Sequence, residues 1–119
     1  MSTRIGVVGT GYISRFHFKA FQTLGAKVVR VADLNGEAAQ AAAAPFGAAV
    51  SAQWQDVVSA PDVDTVAVFS PTPLHAPVVR AALEAGKHVV CEKTLSLSTA
   101  DSLALARLAE SRGLLLFTS

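Results

Sequence analysis

Short apolar runs recur along this chain, and stretches with helical spacing separate them. The runs are Arg4–Val8, Lys27–Ala32, residues 65–69, His88–Cys91 and residues 114–117. Within each run the apolar residues are continuous rather than alternating, which is typical of strands that are buried on both faces of a sheet. The pattern therefore predicts a parallel β-sheet with helices on both sides.

The stretches between the runs carry the spacing and the end signals of helices. In the first of them, Ile13, Phe16, Ala20 and Leu24 recur at helical intervals before Gly25. Residues 48–50 are a candidate third strand, and residues 53–58 a candidate short helix. End signals predict three more helices: residues 37–46, closed by Gly47; a helix from near Pro77 to residues 85–86; and a last helix that Thr99 or Asp101 caps and Gly113 closes.

The alternation of strands and helices predicts an α/β fold of the Rossmann type, which is a doubly wound parallel sheet. With right-handed crossovers, the expected strand order is 3-2-1-4-5-6. A chain of 119 residues buries roughly two thirds of the surface that its unfolded form exposes, which is enough for one core but not for two domains. We therefore expect a single domain over residues 1–119.

Charge and composition exclude several classes of function. The formal net charge is +1 and the basic residues are scattered, so we expect no surface that holds a nucleic acid or an anionic membrane. The apolar runs are far shorter than the ~20 residues of a membrane span. Cys91 is the only cysteine, no signal-peptide core follows Met1, and no metal-ligand spacing occurs. These features predict a cytoplasmic protein without an internal disulfide or a metal site.

A glycine-rich turn follows the first strand directly, with the sequence Gly9-Thr10-Gly11-Tyr12-Ile13-Ser14. In a dinucleotide-binding turn, Gly9 permits the tight turn and Gly11 lets the backbone approach a pyrophosphate. The first helical turn, at Tyr12 and Ile13, offers free N–H groups and the positive end of the helix dipole. Ser14 stands where the fingerprint has Gly or Ala, and it is small enough to preserve close packing of the helix on the strand.

An acidic residue ends the second strand near the position that the fingerprint requires. Asp33 follows the first glycine at close to the ~20 residues at which an acid binds the adenosine ribose hydroxyls. Such an acid repels a ribose 2′-phosphate, and no Ser-Arg sequence follows it, although Arg30 lies nearby. We therefore expect NAD, with NADP the less favoured cofactor. The alternative is a structural turn with a solvated aspartate. The cofactor-binding residues predicted from this half are Gly9, Gly11, Tyr12, Ile13, Asp33 and Leu34.

Two segments in the second half carry a more specific pattern. They are Ser70-Pro71-Thr72-Pro73-Leu74-His75 and Ala85-Gly86-Lys87-His88-Val89-Val90-Cys91-Glu92-Lys93-Thr94. Together they resemble the family of glucose-fructose oxidoreductase, inositol dehydrogenase and MocA, and the resemblance extends over the whole chain. In that family the first segment reads Thr-Pro-Asn-x-x-His and lies beside the cofactor. The resemblance therefore implies cofactor contacts for Ser70, Pro71, Thr72 and His75.

The same resemblance implies a catalytic role for Lys93. The family's Glu-Lys-Pro places a lysine near the nicotinamide and the substrate hydroxyl, which carries over to Glu92 and Lys93, whereas Thr94 replaces the proline. Independently of the resemblance, a lysine at the carboxyl end of a parallel strand lies at the crevice where such sheets bind ligands. There it can hold a substrate oxygen or relay a proton. The alternative is a solvated lysine that pairs with Glu92.

Four further residues are interpreted as structural. We expect His17 to be a surface or packing histidine on the first helix, and His88 to be structural at the start of its strand. Trp54 is expected to pack the short helix. Cys91 is expected to be a small buried hydrophobe, because a lone thiol without a base partner is seldom a nucleophile.

The resemblance implies an NAD-dependent oxidoreductase that transfers a hydride from a sugar, cyclitol or related polyol. In relatives a further domain covers the nicotinamide, supplies most substrate contacts and mediates oligomerisation. We expect this substrate and oligomerisation domain to be absent from the chain, so that the chain alone turns over no polyol. An uncovered apolar strand at residues 114–117 favours a homo-oligomer. The alternative is a non-catalytic dinucleotide-binding module, a sensor or a subunit. A methyltransferase is disfavoured, because the glycine turn and the Glu-Lys segment together fit a dinucleotide better.

Overall fold

The computed structural model describes residues 3–118 and contains one six-stranded sheet. The strands are β1 (Arg4–Val8), β2 (Lys27–Ala32), β3 (Ala49–Ser51), β4 (Thr65–Val68), β5 (His88–Cys91) and β6 (Leu116–Thr118). Their order across the sheet is β3-β2-β1-β4-β5-β6, and every neighbouring pair is parallel. The predicted doubly wound Rossmann sheet and its strand order are confirmed.

Helices cover both faces of this sheet. They are α1 (Ser14–Leu24), α2 (Gly36–Ala43), α3 (Trp54–Val58), α4 (His75–Glu84) and α5 (Thr99–Ser111), with single 3-10 turns at Ala44–Phe46 and Thr72–Leu74. Because strand side chains alternate between faces, two core clusters form. One contains buried residues of α3, α4 and α5. The other contains buried alanines of α2, and Phe18 and Phe21 of α1 pack against it.

The register of the strands brings four chain segments to one edge of the sheet. Val8 at the end of β1 is paired with Ala32 of β2 on one side and with Val68 of β4 on the other. Val68 is in turn paired with Cys91, the last residue of β5. The residues that follow these strands, from the glycine turn to the Glu-Lys segment, therefore lie next to one another.

Several predicted boundaries differ from the observed ones. The candidate strand at residues 48–50 forms one position later, as β3. The last strand begins at Leu116 rather than at residue 114, and the helix predicted for residues 37–46 ends at Ala43 and continues as a 3-10 turn through Pro45. The cap of α5 was wrong: Ser98, not Thr99 or Asp101, is the N-cap residue. Its side chain accepts a hydrogen bond of 3.0 Å from the Asp101 amide. None of the helices in residues 3–118 is long and apolar enough to cross a membrane.

Candidate functional site

A cavity of about 420 Å³ opens at the carboxyl ends of β1, β2 and β4. This is the edge at which open parallel sheets bind their ligands, because the connections on either side of β1 leave in opposite directions there. Its walls include residues from the glycine turn, the acidic turn after β2, the start of α3 and the loop after β4. Lining residues are Gly9, Asp33, Leu34, Trp54, Ser70 and Pro71.

Gly9 allows the glycine turn to lie directly against the end of β4. Its φ of 97° falls in the region that favours glycine, and an added Cβ would lie 2.4 Å from the Ser70 backbone nitrogen. The Gly9 amide donates to the Ala32 carbonyl at 2.9 Å, which joins the turn to β2 as well. Gly9 is therefore required by backbone packing, before any ligand is considered.

Asp33 is fixed by hydrogen bonds from the glycine turn and from its own turn after β2. Its Oδ2 accepts from the Thr10 amide at 2.7 Å and from the Thr10 hydroxyl at 2.6 Å, and its Oδ1 accepts from the Asn35 amide at 2.8 Å. Partial burial acts to raise the pKa of Asp33, but the hydrogen bonds from Thr10, Asn35 and Leu34 outweigh it and hold the pKa below its ordinary value. Asp33 is thus an oriented carboxylate at the cavity wall.

The start of α1 leaves three backbone donors available. In the part of the chain that the structure describes, the amides of Gly11, Tyr12 and Ile13 donate no hydrogen bond, and all three residues are exposed. An added Cβ on Gly11 would meet nothing within 4 Å, so the space in front of this backbone is open. Ser14 is 1% exposed, and its hydroxyl donates to the Gly11 carbonyl at 2.6 Å. Free amides at a helix N-terminus fit a phosphate group.

The loop after β4 forms the opposite wall. Ser70 is buried, and its Oγ has no hydrogen-bond partner among the described residues. Buried hydroxyls nearly always have a partner, so this atom fits a site that a ligand completes. Pro71 and Leu74 line the cavity, and Thr72 begins the 3-10 turn that leads into α4.

His75 lies beneath this loop rather than in the cavity. The ring is 2% exposed, and its two nitrogens contact two carbonyl oxygens: Nε2 that of Ser70 and Nδ1 that of Thr94, both at 2.6 Å. His75 therefore ties the loop after β4 to the segment after β5, and its implied cofactor contact stays a prediction.

Glu92 takes part in a contact that the sequence analysis did not foresee. Its Oε2 lies 2.7 Å from Nε2 of His17, a residue of α1 that is 75 positions away. The His17 ring stacks on Phe69 with centroids 4.3 Å apart. His17 does pack, as expected, but it also contacts a predicted site residue. No local sequence signal links positions so far apart.

Lys93 follows Glu92 as an exposed residue at the edge of the crevice. Its side chain makes no hydrogen bond or ion pair with residues 3–118, and the peptide bond between Lys93 and Thr94 is cis. The chain thus brings Asp33, the glycine turn, the loop after β4 and the Glu92–Lys93 pair to a single edge of the sheet.

The other three residues interpreted as structural take part in packing or in fixing the sheet. Burial, with a smaller contribution from the charge of Glu92, raises the pKa of the Cys91 thiol to about 12, which disfavours the reactive thiolate. Nδ1 of His88 accepts from the Leu115 amide at 3.0 Å and fixes the approach to β6. Trp54 begins α3 and packs on the core. Within the described residues, no group of three or more His, Cys, Asp or Glu side chains is arranged to hold a metal ion.

Known proteins share this sequence pattern. The GFO_IDH_MocA model, described as an oxidoreductase family with an NAD-binding Rossmann fold, matches residues 3–119. Inositol 2-dehydrogenase 3 of Saccharopolyspora erythraea is 39% identical over 115 residues, which cover 95% of this chain and 34% of that protein. The chain therefore spans about a third of the length of this curated relative.

Solved structures share the fold as well. The WlbA dehydrogenase of Bordetella pertussis, in complex with NADH and UDP-GlcNAcA, has a TM-score of 0.91 and 31% identity over 100% of this chain and 37% of its own. Biliverdin reductase of Synechocystis sp. PCC 6803, in complex with biliverdin and NADP+, has a TM-score of 0.88 and 35% identity over 98% of this chain and 37% of its own. The two neighbours hold different nicotinamide dinucleotides.

Proposed function

This chain belongs to the GFO_IDH_MocA family of oxidoreductases, which has an NAD-binding Rossmann fold, and from that premise we propose its specific function. We propose that it binds NAD(H) in preference to NADP(H) and serves hydride transfer between the nicotinamide and a hydroxyl-bearing carbon of a polyol. An inositol or a related cyclitol is the substrate class that the name of the curated relative supports.

The single observation that carries the preference for NAD is the oriented carboxylate of Asp33 at the cavity wall. Its oxygens accept from Thr10 and Asn35, so the carboxylate is held in place before a ligand arrives. Oδ2 already accepts two hydrogen bonds from Thr10, whereas Oδ1 accepts one from the Asn35 amide and retains capacity for a hydroxyl of an adenosine ribose. A ribose 2′-phosphate at the same place would bring like charges together, which disfavours NADP.

The other site residues have consistent roles in this proposal. The free amides of Gly11, Tyr12 and Ile13 would hold the pyrophosphate, and the unpartnered hydroxyl of Ser70 would receive a hydrogen bond or donate one. When bound, the nicotinamide supplies the hydride acceptor. With its amine in the neutral form, Lys93 would accept a hydrogen bond from the reacting hydroxyl and take up its proton as the C–H bond breaks.

Calorimetric titration with NADH and NADPH tests this proposal, with Asp33→Asn as the variant. The NADH affinity is expected to fall about 10- to 100-fold, because a hydrogen bond to a charged group contributes about 1.5–3 kcal/mol. The affinity for NADPH is expected to change less or to rise, since the repelling charge is gone.

Asp62→Asn is the matched control, because it removes the same charge from an ion pair with Arg30 that lies outside the cavity. Its cofactor affinities are expected to match those of the unmutated chain. Tighter binding of NADPH than of NADH by the unmutated chain would refute the proposed preference.

A further inference from the structure

The peptide segment around Lys93 is held on both sides by histidines from different helices. On one side, Nε2 of His17 contacts the Glu92 carboxylate at 2.7 Å. On the other side, Nδ1 of the buried His75 contacts the Thr94 carbonyl at 2.6 Å. The Glu92 amide also donates to the Val68 carbonyl at 3.0 Å, which extends the pairing of β5 with β4 by one residue. The backbone of Lys93 therefore lies between fixed neighbours.

His17 is itself restrained, so it can act as a fixed point. Its ring stacks on Phe69 with an angle of 20° between the ring planes, and its side chain is 25% exposed. Phe69 is 7% exposed and belongs to the core between α1 and the sheet. The stack limits rotation of the imidazole, and the contact with Glu92 transmits this restraint to the segment after β5.

We propose that His17 is a positioning residue for Lys93, acting through Glu92. This inference rests on the proposed function, in which Lys93 holds the reacting oxygen. A lysine side chain has a flexible four-carbon stem, and that of Lys93 is exposed and makes no hydrogen bond or ion pair with residues 3–118. The reach of the ammonium is therefore set by the backbone from which it projects. Displacing a reacting group by about 1 Å can lower a rate about 100-fold.

If His17 positions Lys93, contacts at the nicotinamide end of the ligand depend on His17, and contacts at the adenosine end do not. His17 is not among the residues that line the cavity beside Asp33. Loss of its contact with Glu92 should therefore leave the binding of ADP-ribose unchanged, since that ligand has no nicotinamide. The relation between Lys93 and a bound NADH should change instead.

The test measures the rate at which Lys93 is acetylated by acetic anhydride, by peptide mass spectrometry, with saturating NADH or ADP-ribose. Lys19 on α1, which is exposed, serves as the internal reference. In the unmutated chain, NADH is expected to protect Lys93 about threefold more than ADP-ribose does, because only NADH reaches the end of β5. In His17→Leu this difference should disappear, while the affinity for ADP-ribose and the labelling of Lys19 stay the same.

Two variants separate positioning from a general effect on folding. His17→Gln retains an N–H donor at a reach similar to Nε2 and should restore the additional protection. In a Glu92→Ala background, His17→Leu should have no further effect, because the partner through which it acts is absent. Thermal unfolding of each variant checks that the fold is intact.

The outcomes distinguish the two proposals. If the unmutated chain binds neither ADP-ribose nor NADH, the proposed function is wrong and this inference falls with it. The unmutated chain could instead bind both ligands, with NADH giving the additional protection of Lys93. If NADH then protects Lys93 equally well in His17→Leu, only the positioning role of His17 is overturned. Equal loss of affinity for ADP-ribose and NADH in His17→Leu, without rescue by His17→Gln, would likewise overturn it and leave His17 a packing residue.

Discussion

Gly9 and Gly11 stand two positions apart in the same turn, yet their replacement by alanine is expected to damage different properties. Gly9→Ala should destabilise the fold. Gly11→Ala should leave the fold intact and weaken dinucleotide binding. The contrast follows from what a methyl group would meet at each position.

At Gly9 the added methyl group meets backbone atoms that cannot turn away. It would lie 2.4 Å from the Ser70 nitrogen and 2.6 Å from the Phe69 carbonyl carbon, at a φ of 97°. The left-handed backbone costs an alanine about 1–2 kcal/mol, and forcing the turn away from β4 adds about 1–3 kcal/mol. A loss of about 2–5 kcal/mol is a large part of the roughly 5–15 kcal/mol that holds a domain folded.

At Gly11 the methyl group meets no protein atom within 4 Å, and the residue does not have a positive φ. The free energy of unfolding of Gly11→Ala is therefore expected to change by no more than about 1 kcal/mol. Alanine also makes the unfolded chain less flexible, which stabilises the folded state slightly. The same methyl group would occupy the space through which a pyrophosphate approaches the backbone. The NADH affinity should fall about 10-fold or more, equivalent to about 1.4 kcal/mol.

Urea unfolding and calorimetric titration with NADH measure the two effects on each variant. Gly86→Ala is the matched control for backbone strain, because Gly86 has a φ of 81° but nothing within 4 Å of an added Cβ. The excess loss of Gly9→Ala over Gly86→Ala then reports the close approach to Ser70. Equal losses in these two variants would show that contact with β4 contributes nothing, and unchanged NADH binding by Gly11→Ala would refute its assignment to the pyrophosphate.

Further predictions concern charge, reactivity and association. Hydrogen bonds hold the pKa of Asp33 below its ordinary value, so its contribution to stability is complete above the pKa of the unfolded chain and is lost as the pH falls through the pKa of the folded chain. In urea unfolding between about pH 5 and pH 2, Asp33→Asn should therefore lose less stability than the unmutated chain. An equal dependence of stability on pH in the two proteins would contradict this. The Cys91 thiol has a pKa of about 12, so at pH 8 it should react with maleimide at least about 100-fold more slowly in the folded chain than in the chain unfolded by urea. Similar rates in the folded and unfolded chains would show that the thiolate is accessible in the fold. Leu115, just before the edge strand β6, is 57% exposed, and Phe117 within that strand is 58% exposed. Light scattering should therefore detect self-association that Leu115→Lys reduces. A strict monomer at high concentration would oppose this.

Much of the fold could be predicted because its determinants are local. Continuous apolar runs such as Arg4–Val8 indicated buried strands, and terminal glycines such as Gly25 and Gly47 ended the helical segments. Alternation of these elements together with right-handed crossovers leaves few possible strand orders, and the predicted one is correct. The glycine turn and Asp33 were identified for the same reason, since each is placed by the end of its own strand.

Element ends were less predictable because neighbouring residues compete for the same role. Ser98, Thr99 and Asp101 all have side chains that can cap a helix, and only the approach of the preceding loop selects Ser98. The short β3 is defined by its pairing with β2 rather than by a strong apolar run, so its bounds also depend on the assembled sheet.

The contacts that surround Lys93 were decided by the tertiary structure alone. The sequence determined that Glu92 and Lys93 follow a buried strand, and therefore that they lie at the ligand-binding edge of the sheet. It did not determine that His17 would face Glu92, or that both nitrogens of His75 would contact carbonyl oxygens of two separate loops. Such contacts depend on how α1 and α4 pack across the sheet, which is set by the shape of the whole core. No pattern of neighbouring residues encodes it.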